Sequence, residues 1–283
     1  MQAAHGQSHK SGSYSMTKKQ QPGIEDCFSK QAEKFARHRP EYPDKLFAYL
    51  SELCPAHDLA WDCGTGSGQA AVSLVKYFNR VIASDLSPNQ ISQARYHERI
   101  LYQVSSAEKT DLDTQSADLI TVAQALHWFK LNRFYTEVRR VLKPGGIVAA
   151  WCYHLTVISP EIDEIIQNYS EVIVRPYSSE RMHYVSDHYQ TIPFPFEELL
   201  PPRVEMYTHW DLNEMIGFLD SWSSTQKFIR VRSYHPLDEI MGDLHQAWGD
   251  PQQKRTVVFP LYIRIGRNPT PESKGQKVLM TVS

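Results

Sequence analysis

The chain has 283 residues, 41% of them apolar, enough for one large α/β domain with insertions or for two small domains. A formal charge of −2 gives no overall electrostatic reason to bind nucleic acid, and no apolar run approaches membrane-spanning length. The four cysteines, Cys27, Cys54, Cys63 and Cys152, form no C-x-x-C pair, which fits a reducing, cytoplasmic setting and argues against structural zinc or any other metal site.

Met1 to Gly23 are rich in Gln, Ser, His, Lys and Gly and lack the apolar stretch of a signal peptide. They read as a disordered tail, with part of it a leader ending before Met16, and with His5 and His9 solvated. Asp26 to Arg39 has helical spacing at Phe28, Ala32 and Phe35 and stops before Pro40. Asp44 to Leu53 reads as a helix with Leu46, Phe47, Leu50 and Leu53 on one face.

The next segment carries the most information. Residues 60–68 read Ala-Trp-Asp-Cys-Gly-Thr-Gly-Ser-Gly, and Asp85 ends the following apolar run. Leu59 to Cys63 is a strand; a glycine turn and a helix with Ala71, Leu74, Val75 and Phe78 on one stripe follow; then comes a strand closing on a carboxylate. That succession binds a nucleoside-containing cofactor at the open end of a parallel sheet. A dinucleotide fingerprint would need glycine or alanine where Gln69 stands. S-adenosylmethionine has no pyrophosphate to cradle. It needs a turn without side chains near its amino-acid end and a carboxylate for its ammonium, which Gly64, Gly66, Gly68 and Asp62 offer.

The alternation continues with a helix over Pro88 to Glu98, capped by Ser87, and strands over Ile100 to Val104 and Asp118 to Ala123. An amphipathic helix spans Leu131 to Leu142; Lys143-Pro-Gly-Gly146 ends it, and Ile147 to Trp151 is the next strand. Repeated β-α units with short connections imply a doubly wound α/β fold, with a parallel sheet and helices on both faces. Beyond Trp151 the pattern changes. Ser159 to Val174 reads as a helix, and Pro176 to Pro202 has no clear period. Arg203 to Trp210 reads as a strand. A helix over Asp211 to Trp222 follows, with Asp211 and Glu214 placed as a capping box. A helix over Pro236 to Trp248 and a final strand over Thr256 to Arg267 complete the series, and the last residues read as a loose tail.

On these residues the chain resembles a class I S-adenosylmethionine-dependent methyltransferase with a type 11 domain, from about Phe28 to Trp151. Four segments carry the likeness: Asp62-Cys-Gly-Thr-Gly-Ser-Gly68, Ser84-Asp85-Leu86-Ser87, Ser105-Ser-Ala-Glu108, and the run from Asp118 through Ala-Gln-Ala-Leu-His-Trp-Phe129 to Gly146. The stretch Phe35 to Pro43 and the Ala-Gln-Ala-x-His-Trp-Phe string are similar to the trans-aconitate methyltransferase subgroup, which often has tyrosine where Phe35 stands. The resemblance implies a seven-stranded, mostly parallel sheet with an antiparallel final strand, the Rossmann-like methyltransferase fold. It also implies a core over residues 24–152, helical cap insertions over 153–255, a final core strand over 256–267, and tails at 1–23 and 268–283.

It further implies roles, each with a plainer alternative. Gly64, Thr65, Gly66 and Gly68 would pass close to the methionine part, where the alternative is an ordinary tight turn. Asp62 would face the ammonium, partly through water. Asp85, 23 positions beyond Asp62, would accept the two ribose hydroxyls, or else cap a helix. Leu86 would cover an adenine face, and Ser106, Ala107 and Glu108 would read its edge, unless Glu108 is simply solvated. Gln124, Ala125, His127 and Trp128 would lie where acceptor and methyl group meet, with His127 either a catalytic base or an orienting group. Arg39 would pair with the cofactor's carboxylate. Aromatic residues of 153–203 and 211–255 would line a lid or, alternatively, build a second core layer. Arg175, Arg181 and Arg232 would meet an acidic substrate or water. The expected acceptor is a small molecule, with neither nucleic acid nor membrane as partner.

Overall fold

A computed structural model describes residues 40–270. Arg39, Phe35, the helix expected over Asp26 to Arg39 and the reading of 1–23 as a tail lie outside the described residues.

Five parallel strands form the centre: β1 (Leu59–Cys63), β2 (Arg80–Asp85), β3 (Ile100–Val104), β4 (Ala117–Ala123) and β5 (Leu142–Cys152). They are parallel because each is followed by a connection that crosses a face of the sheet. β6 (Glu197–Leu199), β7 (Val204–Trp210) and β8 (Arg255–Arg267) complete the sheet, whose order is β3-β2-β1-β4-β5-β8-β6, with β7 on β8. β8 runs antiparallel to β5, with Ile147 opposite Arg267 and Cys152 opposite Tyr262. Leu199 faces Ile265 and Val204 faces Leu261, so five steps on one side match four on the other. Pro201 and Pro202, which cannot donate to a ladder, occupy that one-residue bulge.

Alternation along the strands sorts the core into two layers. Ile147, Ala149 and Trp151 pack with α1 (Asp44–Glu52), α2 (Ala71–Leu74) and residues such as Tyr169 and Trp248. Val148, Ala150 and Cys152 pack with α4 (Leu131–Val141), which follows α3 (Pro88–Ser92), and with Tyr189, Phe194 and Phe196. Both faces of these strands are buried, as the near-continuous apolar runs require. Among the described residues no helix is long and apolar enough to cross a membrane, and no group of three metal-binding side chains occurs.

Several elements differ from expectation. The helix expected to reach Glu98 stops at Ser92. Arg95 N–H bonds to the Ser67 carbonyl at 3.3 Å and the Tyr102 hydroxyl donates to the Arg95 carbonyl at 2.8 Å, so tertiary bonds replace the helical ones. The helix after the glycine turn is only one turn, although Ala71, Leu74, Val75 and Phe78 are all buried. The helix α5 (Pro160–Asn168) opens into a wider turn over Tyr169–Ile173. The expected Pro236 to Trp248 helix divides at Ile240 (φ −118°) into a tight turn and a helix from Met241. The capping box holds: Asp211 accepts from Glu214 N–H and Glu214 accepts from Asp211 N–H, both at 2.9 Å.

Candidate active site

β1, β2 and β4 end side by side, and the turns leaving them open into a cavity of about 1440 Å³. Gly64, Thr65, Gly66, Asp85, Leu86, Ser106, Ala107, Glu108, Gln124, Ala125, His127 and Trp128 all line it. Open α/β sheets bind ligands at this carboxyl edge.

The glycines are required at this edge for different reasons. Gly64 has φ +69°, and a Cβ there would stand 2.7 Å from the Ala125 Cβ. Gly66 has φ +56° and its N–H donates to Asp85 Oδ2 at 2.9 Å. Gly68 does not line the cavity: its missing side chain makes room for Tyr102, whose hydroxyl would lie 2.2 Å from a Cβ. It therefore serves packing, not a ligand approach.

Asp85 borders the cavity and takes N–H groups from Gly66 on one oxygen and Ser87 on the other, each at 2.9 Å. Burial raises its pKa, opposed by those N–H groups and that of Leu86. Two carboxylate oxygens offer about four acceptor sites, so capacity for hydroxyl donors remains. Leu86 beside it is 54% exposed and lines the cavity, an apolar surface that a planar ring could cover.

Asp62 is placed differently from the expectation. It is fully buried beneath the turn and does not line the cavity. Its oxygens accept the Thr65 hydroxyl at 2.5 Å and the Thr121 hydroxyl at 2.8 Å. Burial pushes its carboxyl up to about 6, against those hydroxyls and the Ala71 N–H. It fastens the glycine turn to β4.

Glu108 is half-buried at the cavity's edge, and both its oxygens are engaged within the protein. It accepts the Lys130 N–H at 2.9 Å and the Ser106 hydroxyl. Burial works against its charge, but these bonds outweigh it and hold the pKa below its ordinary value. Gln124, at φ +56°, spends its amide on Tyr153, donating to the carbonyl at 2.9 Å and accepting the N–H at 3.0 Å. It ties the ends of β4 and β5, which leaves it a positioning part in the wall.

His127 sits in a short turn, Leu126–Trp128, is buried, and has Nδ1 2.8 Å from the Tyr189 hydroxyl. Arg181 donates to the carbonyls of His127, Trp128 and Phe129. The guanidinium expected to face substrate is thus turned onto the backbone of the His127 turn. Arg175 pairs with Glu171, which also lies 3.4 Å from His154 Nε2. Burial lowers the His154 pKa, with Glu171 opposing. Arg232 is exposed and does not line the cavity.

The cap expectation divides. Tyr153, Val174, Met182, Phe218 and Trp222 do line the cavity, while Tyr169, Tyr189 and Trp248 are core residues without exposure. Sequence reasoning missed the Arg181 clamp, the Tyr189–His127 bond and the His154–Glu171–Arg175 cluster. Apart from Glu171 and Arg175, which stand at helical i,i+4 spacing, the partners lie 17 to 62 positions apart with no periodic pattern to signal them.

Comparison with known proteins agrees with this geometry. Residues 61–150 match the methyltransferase domain family. A methyltransferase-family protein of Dictyostelium discoideum is 36% identical over 252 residues, covering 86% of this chain and 95% of its own. A type II methyltransferase-family structure from Anaeromyxobacter dehalogenans is 42% identical with a TM-score of 0.76, covering 82% of this chain and 99% of its own. A Saccharomyces cerevisiae relative assigned to the S-adenosylmethionine-dependent methyltransferases is 27% identical, over 54% of this chain and 55% of its own.

Proposed function

The chain belongs to the S-adenosylmethionine-dependent methyltransferase family, and from that membership we propose that it methylates a small molecule. The observation that carries this is the cavity. At about 1440 Å³ it exceeds the roughly 300–1,000 Å³ of a typical single-ligand pocket. It has room for the cofactor at the strand ends and for an acceptor against the cap.

The residues present fit S-adenosylmethionine. Gly64, Thr65 and Gly66 form a turn free of bulky side chains for its amino-acid end. Asp85 would serve the ribose hydroxyls, Leu86 and Ala107 would border the adenine, and Ser106 and Glu108 would shape the loop at its edge. Asp62 acts from below, by holding Thr65. When bound, the cofactor supplies a methyl group on a sulfonium that is already an activated leaving group. The protein's share is alignment and exclusion of water. Tyr153, Phe218 and Trp222 give the acceptor an apolar surface. Arg181 holds the His127 turn, so His127 borders the cavity from a fixed backbone.

The acceptor atom is an oxygen, of a carboxylate or a hydroxyl. The preference for a carboxylate rests on the likeness of Phe35 to Pro43 and of residues 123–129 to trans-aconitate methyltransferases. An RNA or protein acceptor would call for a basic face, and a formal charge of −2 offers no overall excess. The test is transfer from methyl-labelled S-adenosylmethionine into separated metabolite, RNA and protein fractions. Label in the metabolite fraction, matched by release of S-adenosylhomocysteine, is expected. Label confined to RNA or protein refutes the small-molecule reading. Cofactor binding with no transfer to any pool points to a regulator.

A further inference from the structure

We propose that Tyr189 is a positioning residue that holds His127 as the Nε2–H tautomer, so that His127 meets the acceptor as a hydrogen-bond donor and does not remove its proton. This rests on reading the cavity as the methyl-transfer site.

Tyr189 has no exposed surface, and its oxygen lies 2.8 Å from His127 Nδ1. Either atom could carry the shared hydrogen on distance alone. Burial drives the phenol pKa far above its ordinary value, so the phenol keeps its proton. That O–H needs an acceptor, and among the described residues Nδ1 is the one in reach. Were Nδ1 protonated, it would donate to the hydroxyl oxygen and a buried O–H would be left unpaired. A cost of that kind disfavours the state on the order of 5- to 150-fold. The hydroxyl therefore donates, Nδ1 accepts, and the proton of neutral His127 sits on Nε2.

The backbone is built to deliver this hydroxyl. His188 and Tyr189 are consecutive left-handed residues, at φ +55° and +60°, a conformation that bulky L-residues rarely hold. It persists because the surroundings over-determine it. The Tyr189 carbonyl accepts Arg264 Nη1 at 3.0 Å, its N–H donates to the Tyr184 carbonyl at 2.7 Å, and the His188 ring stacks on Tyr262 at 3.5 Å. Arg264 is itself held by Glu198 and lies over Phe194. The Arg181 guanidinium on the 127–129 carbonyls fixes the backbone that carries the ring. The ring's tautomer is thus set by a group outside the strand-edge motif.

The test is nitrogen-15 NMR of ring-labelled histidine in the wild-type chain and in Tyr189→Phe, with His127→Gln identifying the resonance. In the wild type Nδ1 should resonate as an unprotonated acceptor and Nε2 as protonated. In Tyr189→Phe the ratio of tautomers should fall by the order of 5- to 150-fold, toward that of free imidazole. A protonated Nδ1 in the wild type overturns the proposal, as does an unchanged ratio in the variant. Should the variant fold poorly, the wild-type spectrum decides alone. Failure to methylate any small molecule would defeat the proposed function, whereas the spectrum addresses Tyr189 and His127 directly.

Discussion

On one wall of the cavity, residues 64–66, 85–87, 105–108 and 123–125 come directly off four strand ends. The opposite wall is assembled from residues 170–186 and 218–224, which belong to short helices and turns far from the sheet motif. The first wall is made of backbone N–H groups, glycines, small side chains and two carboxylates, Asp85 and Glu108. Its geometry follows from strand register, with Leu59 to Cys63 opposite Arg80 to Ser84. The second wall is aromatic and hydroxyl-rich, with Arg175 paired to Glu171 and Arg181 spent on backbone carbonyls. A shared cofactor chemistry suits the first construction, and a particular acceptor suits the second. Substitutions on the two walls should therefore fail in different ways.

The largest failure is expected at Gly64→Ala. The new Cβ would meet the Ala125 Cβ at 2.7 Å in a left-handed conformation. Strain and overpacking together should destabilise the fold by about 2–5 kcal/mol, read from urea melts, and abolish S-adenosylhomocysteine binding in calorimetry. Trp222→Leu, on the opposite wall, should leave that binding within tenfold and raise the acceptor KM. Equal loss of cofactor affinity in both variants would break the division.

Asp85→Ala should weaken S-adenosylhomocysteine binding by roughly 1.5–3 kcal/mol, the scale of hydrogen bonds to a charged group. Calorimetry should also show no binding of NAD; tighter NAD binding would contradict S-adenosylmethionine as the cofactor.

His127→Ala should slow transfer by roughly 10- to 100-fold, the worth of one hydrogen bond at the acceptor. His127→Gln should be tolerated better, because its amide still donates. A general base contributes about 10²–10⁴-fold with a matching pH profile. Equal abolition by Ala and Gln, with cofactor affinity intact, would make His127 that base.

A smaller effect should appear in acid, in the frame behind the strand-edge wall. Glu137 accepts from Arg140 and from the Thr110 N–H and hydroxyl, which anchors the segment after the 105–108 loop to α4. The Arg140 bonds lead in holding its pKa at about 2, below the ordinary 4.5. A depressed carboxylate contributes stability above the unfolded value that is lost as pH falls through the folded one. Wild type should therefore exceed Glu137→Gln in urea melts above pH 4.5, with the gap closing toward pH 2. A gap independent of pH would mean the ion pair is not its source.

The same contrast explains what could be read from the chain alone. Strand alternation and the glycine turn are local, so β1, β2, β4 and β5 and the twelve residues lining the strand edge were legible. The capping box at Asp211 and Glu214 was legible for the same reason. Asp62 could not be placed, because whether a carboxylate faces a ligand or lies beneath the turn depends on Thr121, 59 positions away. The helix after Pro88 was overextended because propensity cannot register the Arg95 bonds to Ser67 and Tyr102. In the cap, Arg181 and Tyr189 owe their roles to the His127 turn, more than 50 positions distant.

Hydrogen exchange with and without S-adenosylhomocysteine tests the division of the cavity most directly. The cofactor should slow exchange at the strand-edge turns by contact. It should also slow exchange across 153–203 and 211–255, because closing over a bound cofactor is what a selecting cap does. Protection confined to the strand-edge turns, with both cap segments unchanged, would contradict the account and leave the second wall a static part of the core.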